Sequence, residues 1–256
     1  MPDKQTQAAL VEEWRNEERI PFSGWDFSHL RGRCIEDTPP WSYESMVREL
    51  LPRASSVLDL GTGGGEKLRS FRDVLPRRTV ATEGHRPNLE LARKRLEPIG
   101  IEVVEANDSL AALLPFAAAE FDLVIDRHTA FNIAEVERVL KPGGIFLTQQ
   151  VDGSSCWDLI EAFGSKPKWP WFTLSFMLDQ VKTTNLVVDL AQDWAGGMVI
   201  TDVGALVYYL RAIPWLVEGF SVNSHLPYLR QQQERLEREG VLAFVRKLLV
   251  LRASKM

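Results

Sequence analysis

The residues best able to do chemistry in this chain are three carboxylates and one imidazole, each set just after a short apolar run. Asp59 lies in Val57-Leu58-Asp59-Leu60, directly ahead of Gly61-Thr62-Gly63-Gly64-Gly65. Glu83 follows Thr79-Val80-Ala81-Thr82, 22 residues after Gly61. Asp108 closes a third apolar run at 101–106, and His128 follows a fourth at 121–126. A glycine-rich turn between a strand and a helix permits positive φ and lets a ligand approach the backbone. The helix start beyond it offers N–H groups and a positive dipole end. A carboxylate at the next strand end can accept two ribose hydroxyls, each charged hydrogen bond contributing about 1.5–3 kcal/mol. His128 is the candidate general base, because imidazole titrates near neutrality. Nothing calls for a metal site.

These groups need a sheet to align them. Strands are expected at 57–60, 79–82, 101–106, 121–126 and 144–151, with helices at 66–75, 87–96 and 134–140 between them. Strand–helix alternation implies βαβ units and right-handed crossovers. The fold class is therefore α/β, a doubly wound, mostly parallel sheet of seven strands, the last two near 186–192 and 242–252. All the acids then sit at C-terminal strand ends, where an open sheet forms its ligand crevice. Glu83 is expected there facing solvent.

Three segments follow. Residues 1–44 combine a helix at 3–19, marked by Leu10, Val11 and Trp14, with an aromatic, turn-rich stretch expected to act as a lid. Residues 45–151 form the α/β core. Residues 152–256 supply cap helices and the last strands. All eight tryptophans lie outside 42–156. They either fill the cap's own core or line an apolar substrate cavity, a common setting for ligand pockets.

Composition narrows the function. The chain has 256 residues, 45% hydrophobic and 25% charged, with net charge −5. That excludes a coiled coil, a collagen and a disordered chain. It also lacks the basic footprint of a nucleic-acid binder. Two cysteines and no apolar leader or span lead to a cytoplasmic reading, with no membrane partner. Cys156 reads as structural, and Arg93-Lys94-Arg95 as a solvated face.

Asp59 to Gly65 resembles motif I of class I S-adenosylmethionine-dependent methyltransferases. Glu83-Gly84 matches their ribose-binding acid, and Asp108-Ser109 their adenine position. Phe121-Asp122-Leu123-Val124 is similar to their fourth-strand motif. Residues 135–144, ending Leu140-Lys141-Pro142-Gly143-Gly144, are similar to the block before their fifth strand. The likeness spans residues 45–151 and is strongest to the broad subfamily acting on small molecules, quinones and some RNAs. The stretch from Asp108 to Pro115 is about two residues longer than usual in that family.

The resemblance implies S-adenosylmethionine as cofactor. Gly61, Thr62 and Gly63 would lie against its methionine part and Asp59 would place its amino group. Glu83 and Gly84 would hold the ribose, and Asp108 or Ser109 the adenine. The Asp126-Arg127-His128 corner would border both the cofactor's methionine tail, with Asp126 binding the cofactor, and the methyl acceptor. Arg33, Trp41 or Tyr43 from the N-terminal segment would close the site. The acceptor is expected to be a small molecule. The competing readings are an RNA methyltransferase, disfavoured by the acidic charge, an NAD(P)-dependent oxidoreductase, disfavoured by the Gly-Thr-Gly-Gly-Gly spacing, and a non-catalytic cofactor-binding protein.

Overall fold

A computed structural model describes residues 4–107 and 109–256. Helix α1 (Lys4–Arg19) leads into a loop and a short strand β1 (Cys34–Glu36), then α2 (Tyr43–Leu50) and β2 (Ser56–Leu60). After the glycine turn come α3 (Glu66–Arg69), β3 (Arg78–Glu83), α4 (Arg86–Leu96), β4 (Glu102–Glu105) and β5 (Phe121–Arg127). The chain continues through α5 (Ile133–Val139), β6 (Leu140–Val151), α6 (Trp157–Ala162), α7 (Leu174–Val181) and β7 (Leu186–Ile200). It ends with α8 (Val203–Ala212), α9 (Leu226–Glu239) and β8 (Leu242–Lys255).

One sheet organises these elements, in the order β1-β7-β8-β6-β5-β2-β3-β4. The pairs β2–β3, β3–β4, β2–β5 and β5–β6 are parallel. Strand β8 is antiparallel to both β6 and β7, and β1 is antiparallel to β7. Neighbouring residues of the central strands pack on opposite faces, as the two-residue period of a strand requires. Val57, Leu123, Ile125 and Leu147 pack with α2 and α4, while Leu58, Val124 and Phe146 pack with α5 and α7. Burial on both faces explains why these strands are continuous apolar runs.

The family-like motifs at the far end of the strands are structural staples. Asp122 accepts from the Ser55 and Ser56 amides and pairs with Lys141, joining the starts of β2, β5 and β6. Glu135 and Arg138 clamp the loop before β5, through the Leu114 amide and the Leu114 and Phe116 carbonyls.

Three elements differ from expectation. The sheet has eight strands rather than seven, because Cys34–Glu36 adds an edge strand to β7. Three residues are too short to show a period. Helix α2 lies where no helix was placed; Ser42 caps it by accepting from the Ser45 amide at 3.1 Å. Helix α3 stops at Arg69 instead of running to 75, since Ser70, Phe71, Arg72 and Val74 donate to carbonyls three residues back. Such tight turns do not propagate an α-helix.

The flanks build a separate core above the sheet. Trp14 packs with Leu30, Leu159, Phe163 and the largely apolar α8, and is 2% exposed. Helix α8 is buried along almost its whole length, so it must be covered on every side. Among the described residues no helix is long and apolar enough to cross a membrane.

Candidate functional site

The glycine turn is held from below by the end of β3. The Gly61 amide donates to the Thr82 hydroxyl at 3.2 Å, and the Thr62 amide to the Thr82 carbonyl at 2.8 Å. The Gly63 amide donates to Glu83 Oε2 at 2.7 Å. Gly61 and Gly63 have φ of +59° and +61°, where a side chain is strained. A Cβ on Gly61 would also overlap Thr129. The amides of Gly61, Thr62 and Gly63 are therefore already engaged at this turn, and α3 is only four residues long.

The acids around this turn are buried. Glu83 is 4% exposed, not at a solvent-facing strand end as expected, because its second oxygen accepts from the His85 amide at 2.7 Å. Asp59 is also buried, and burial pushes its carboxyl up to about 7, with Thr62 opposing and the Glu83 charge adding. Asp126 is fully buried; desolvation raises its carboxyl well above the ordinary range, despite a hydrogen bond from the Thr148 hydroxyl. Neither carboxylate has a cationic partner among the described residues.

Above them opens a cavity of about 2100 Å³. Asp59, Gly61, Thr62, Glu83, Ser109 and His128 line it, together with Tyr43 and Arg127. Ordinary small-molecule pockets measure about 300–1,000 Å³, so this one has room for two ligands side by side. Its outer wall is aromatic: Trp25, Trp169, Trp171 and Trp215 all line it and are 38–46% exposed. Trp25 stacks on Phe27, meets Trp215 edge-on at 5.8 Å, and lies against Gly63. Trp14 and Trp41 are buried packing. Six of the eight rings thus divide between the two expected roles, while Trp157 and Trp194 are neither fully buried nor on the cavity.

The family can now be read from the sequence match as well as the geometry. A methyltransferase domain family model matches residues 58–148. Over 103 residues the chain is 39% identical to a ubiquinone/menaquinone biosynthesis C-methyltransferase of Desulfotalea psychrophila, covering 36% of this chain and 40% of that protein. Residues 58–148 thus resemble a methyltransferase domain in sequence. Over 98 residues the chain is also 30% identical to an uncharacterized methyltransferase of Bacillus subtilis, covering 36% of this chain and 38% of the relative. The matching stretch therefore spans about two fifths of these curated relatives. The solved structure of that Bacillus subtilis protein superposes with a TM-score of 0.56 at 16% identity, over 83% of this chain and 97% of the other. A protein of unknown function from Deinococcus radiodurans superposes with a TM-score of 0.57 at 13% identity, over 99% and 100% of the two chains. At those identities the likeness concerns the fold, which extends into the flanks although the sequence match does not.

The fold brings most, not all, of the expected residues together. Asp108 lies outside the described residues. Gly63, Gly84 and Asp126 sit behind the cavity wall rather than on it. Arg33 is displaced from the role expected for it: its guanidinium binds Asp202 at 2.6 and 3.0 Å and Glu17 at 2.8 Å. Asp202 caps α8 by accepting from the Ala205 amide, so Arg33 locks α1, the N-terminal loop and α8 together. Arg31, two residues earlier, lines the cavity instead, as does Arg19. Residue type and position in the segment could not distinguish these arginines.

His128 departs most from its expected part. It holds a left-handed conformation, φ +67°, at the end of β5, strain that functional corners often store. The buried indole N–H of Trp41 donates to Gln149 Oε1 at 2.9 Å. An indole can only donate, so the amide of Gln149 is oriented with its NH2 toward His128 Nε2, 3.1 Å away. That nitrogen must accept, and the proton of the neutral ring sits on Nδ1. Desolvation and the nearby Arg127 and Arg246 charges hold the ring's pKa well below its usual value. His128 is thus a neutral ring with Nε2 engaged by Gln149 and its proton on Nδ1. Nitrogen NMR on labelled protein should show the Nδ1–H tautomer from pH 6 to 8, and Gln149→Leu should release it to a tautomer mixture. A titration of the wild-type ring near pH 6.5 would contradict this assignment.

The fit to the family's cofactor can be judged from the wall itself. The Tyr43 hydroxyl on that wall and Asp126 Oδ2 just behind it are buried without a hydrogen-bond partner among the described residues. Buried polar atoms are ordinarily satisfied. Together with the two uncompensated carboxyls, they suit a ligand bearing positive charge and polar groups, as S-adenosylmethionine does.

Proposed function

We propose that this protein transfers the methyl group of S-adenosylmethionine to a small-molecule acceptor bound under the aromatic cap. The observation that carries the reading is the pair of buried carboxyls, Asp59 and Asp126, beside a glycine turn that opens on a cavity large enough for cofactor and acceptor. S-adenosylmethionine, when bound, supplies a sulfonium methyl open to in-line displacement. The chain's residues do the rest. Asp59 and Thr62 would hold the amino-acid end, Glu83 the ribose, and Ser109 with its neighbour Asp108 the adenine. Residues 1–44 and 152–256 wall the acceptor side and exclude water. Alignment of two bound reactants can contribute on the order of 7–11 kcal/mol to lowering the barrier. No proton acceptor is required of His128 for an acceptor that arrives already nucleophilic.

Calorimetry separates this reading from a nicotinamide enzyme. S-adenosylmethionine and S-adenosylhomocysteine should bind, and NADH should not; NADH binding without either would overturn the proposal. The pH dependence has a definite sign. In the free protein Asp59 titrates at about 7, above the usual aspartate value, through burial. Its contribution to stability is complete below about pH 4 and is lost as pH rises through 7. A cationic ligand favours the carboxylate, so affinity for S-adenosylmethionine should rise between pH 5.5 and 7, by up to about tenfold per unit, and level off above. A flat profile would remove Asp59 from the site.

A further inference from the structure

The cavity wall beyond the cofactor end carries a charge with no counterpart. Arg127, immediately before His128, lines the cavity, and its guanidinium makes no hydrogen bond or ion pair with any described residue. A second guanidinium, Arg246, lines the same wall and engages Glu36 at 3.3 Å. With Lys67 and Glu44 also near, three cations stand against two carboxylates and leave this corner with a net positive charge. Arg127 is exposed at the end of β5, so its guanidinium is open to an anion entering the cavity. Guanidinium, with its planar fork of donors, matches a carboxylate or similar oxyanion.

His128 adds a second donor at the same corner. The Trp41–Gln149 relay leaves Nδ1 carrying the ring proton, and no described residue accepts it. The same cavity is lined by the aromatic rings of Trp169, Trp171 and Trp215. We propose that the acceptor is a small aromatic or apolar molecule bearing an acidic group, whose oxyanion is held by the Arg127 guanidinium and the Nδ1–H of His128. This deepens the methyltransferase reading and rests on it, because it assigns the half of the cavity that the cofactor leaves to the acceptor. The clamp also explains why the corner needs a neutral, donor-only imidazole. An imidazolium beside two guanidiniums would add repulsion, and a basic nitrogen facing the oxyanion would repel its lone pairs.

The test uses a matched pair of probes, 2-naphthoate and 2-naphthamide, which share an aromatic body and differ in charge. With the full-length protein saturated with S-adenosylhomocysteine, tryptophan quenching or calorimetry should show at least tenfold tighter binding of the naphthoate. Arg127→Met should abolish that preference and leave the affinity for S-adenosylhomocysteine within about twofold. The wild-type preference is read without any variant, so it stands as a test even if Arg127→Met fails to fold. Equal binding of the two probes, no binding of either at millimolar concentration, or a preference that survives in Arg127→Met would each overturn the proposal. So would an Arg127→Met that loses S-adenosylhomocysteine tenfold or more while keeping the naphthoate preference, for the guanidinium would then serve the cofactor's own carboxylate. Should S-adenosylhomocysteine itself not bind, the methyltransferase reading fails, and the probe pair measured alone still reports on the clamp.

Discussion

Replacing Glu83 by alanine is expected to weaken S-adenosylmethionine binding about 10- to 100-fold and to lower the melting temperature as well. The first effect follows from losing charged hydrogen bonds to ribose hydroxyls, together about 1.4–3 kcal/mol. The second follows from what the carboxylate already does in the protein. It accepts the Gly63 amide on one oxygen and the His85 amide on the other, both at 2.7 Å, in a position only 4% exposed. Alanine would leave two amide donors without their partner, at about 1–3 kcal/mol each when burial keeps water away. For a chain of this size that lowers Tm by roughly 5–15 °C. A solvent-facing Glu83, as expected from the sequence, would have left folding untouched; its burial does not. Glu83→Gln, which keeps an acceptor oxygen at the site, should recover most of the stability and less of the affinity. Calorimetry and thermal unfolding on the three proteins decide it. A folded Glu83→Ala that binds the cofactor like wild type would remove this residue from the ribose.

Deleting residues 1–40 is expected to unfold the cap rather than merely open it. The deletion removes α1, whose Trp14 is 2% exposed in the cap core, and the Arg33 guanidinium that joins Glu17 to Asp202. It also removes β1 from the edge of β7. Truncating one buried tryptophan to alanine costs about 3–5 kcal/mol by itself, a large part of the usual 5–15 kcal/mol of total stability. Thermal unfolding should show a drop well beyond that of any single substitution made here, or a second, early transition. Native-like melting of the truncated chain would mean that α1 is peripheral. The lid function is better read with Trp25→Ala. Trp25 is 46% exposed and lies on Gly63 and Trp215, so its removal should change stability little while loosening cofactor retention severalfold. Unchanged retention would leave the N-terminal aromatics as packing.

The central strands and the glycine turn were legible because their signals are local. Val57 to Leu60 and Phe121 to Asp126 are apolar on both faces, and the glycines interrupt the run where φ turns positive. A period of two or 3.6 residues is written in neighbouring positions, so sequence by itself determined the α/β alternation, the strand ends that carry Asp59 and Glu83, and the methyltransferase likeness. It could not place Cys34–Glu36 in the sheet, since that pairing joins residues more than 160 positions apart in sequence. Nor could it separate Arg31 from Arg33, or buried Trp14 from cavity-lining Trp215, because each pair shares a residue type and differs only in what folds against it. His128 shows the same limit in its chemistry. Its place after β5 was readable, but its protonation was decided by an indole 87 positions earlier acting through Gln149. Local propensity sets which elements form and where they end; burial, partner and proton position belong to contacts between distant segments, and only the tertiary structure brings those together.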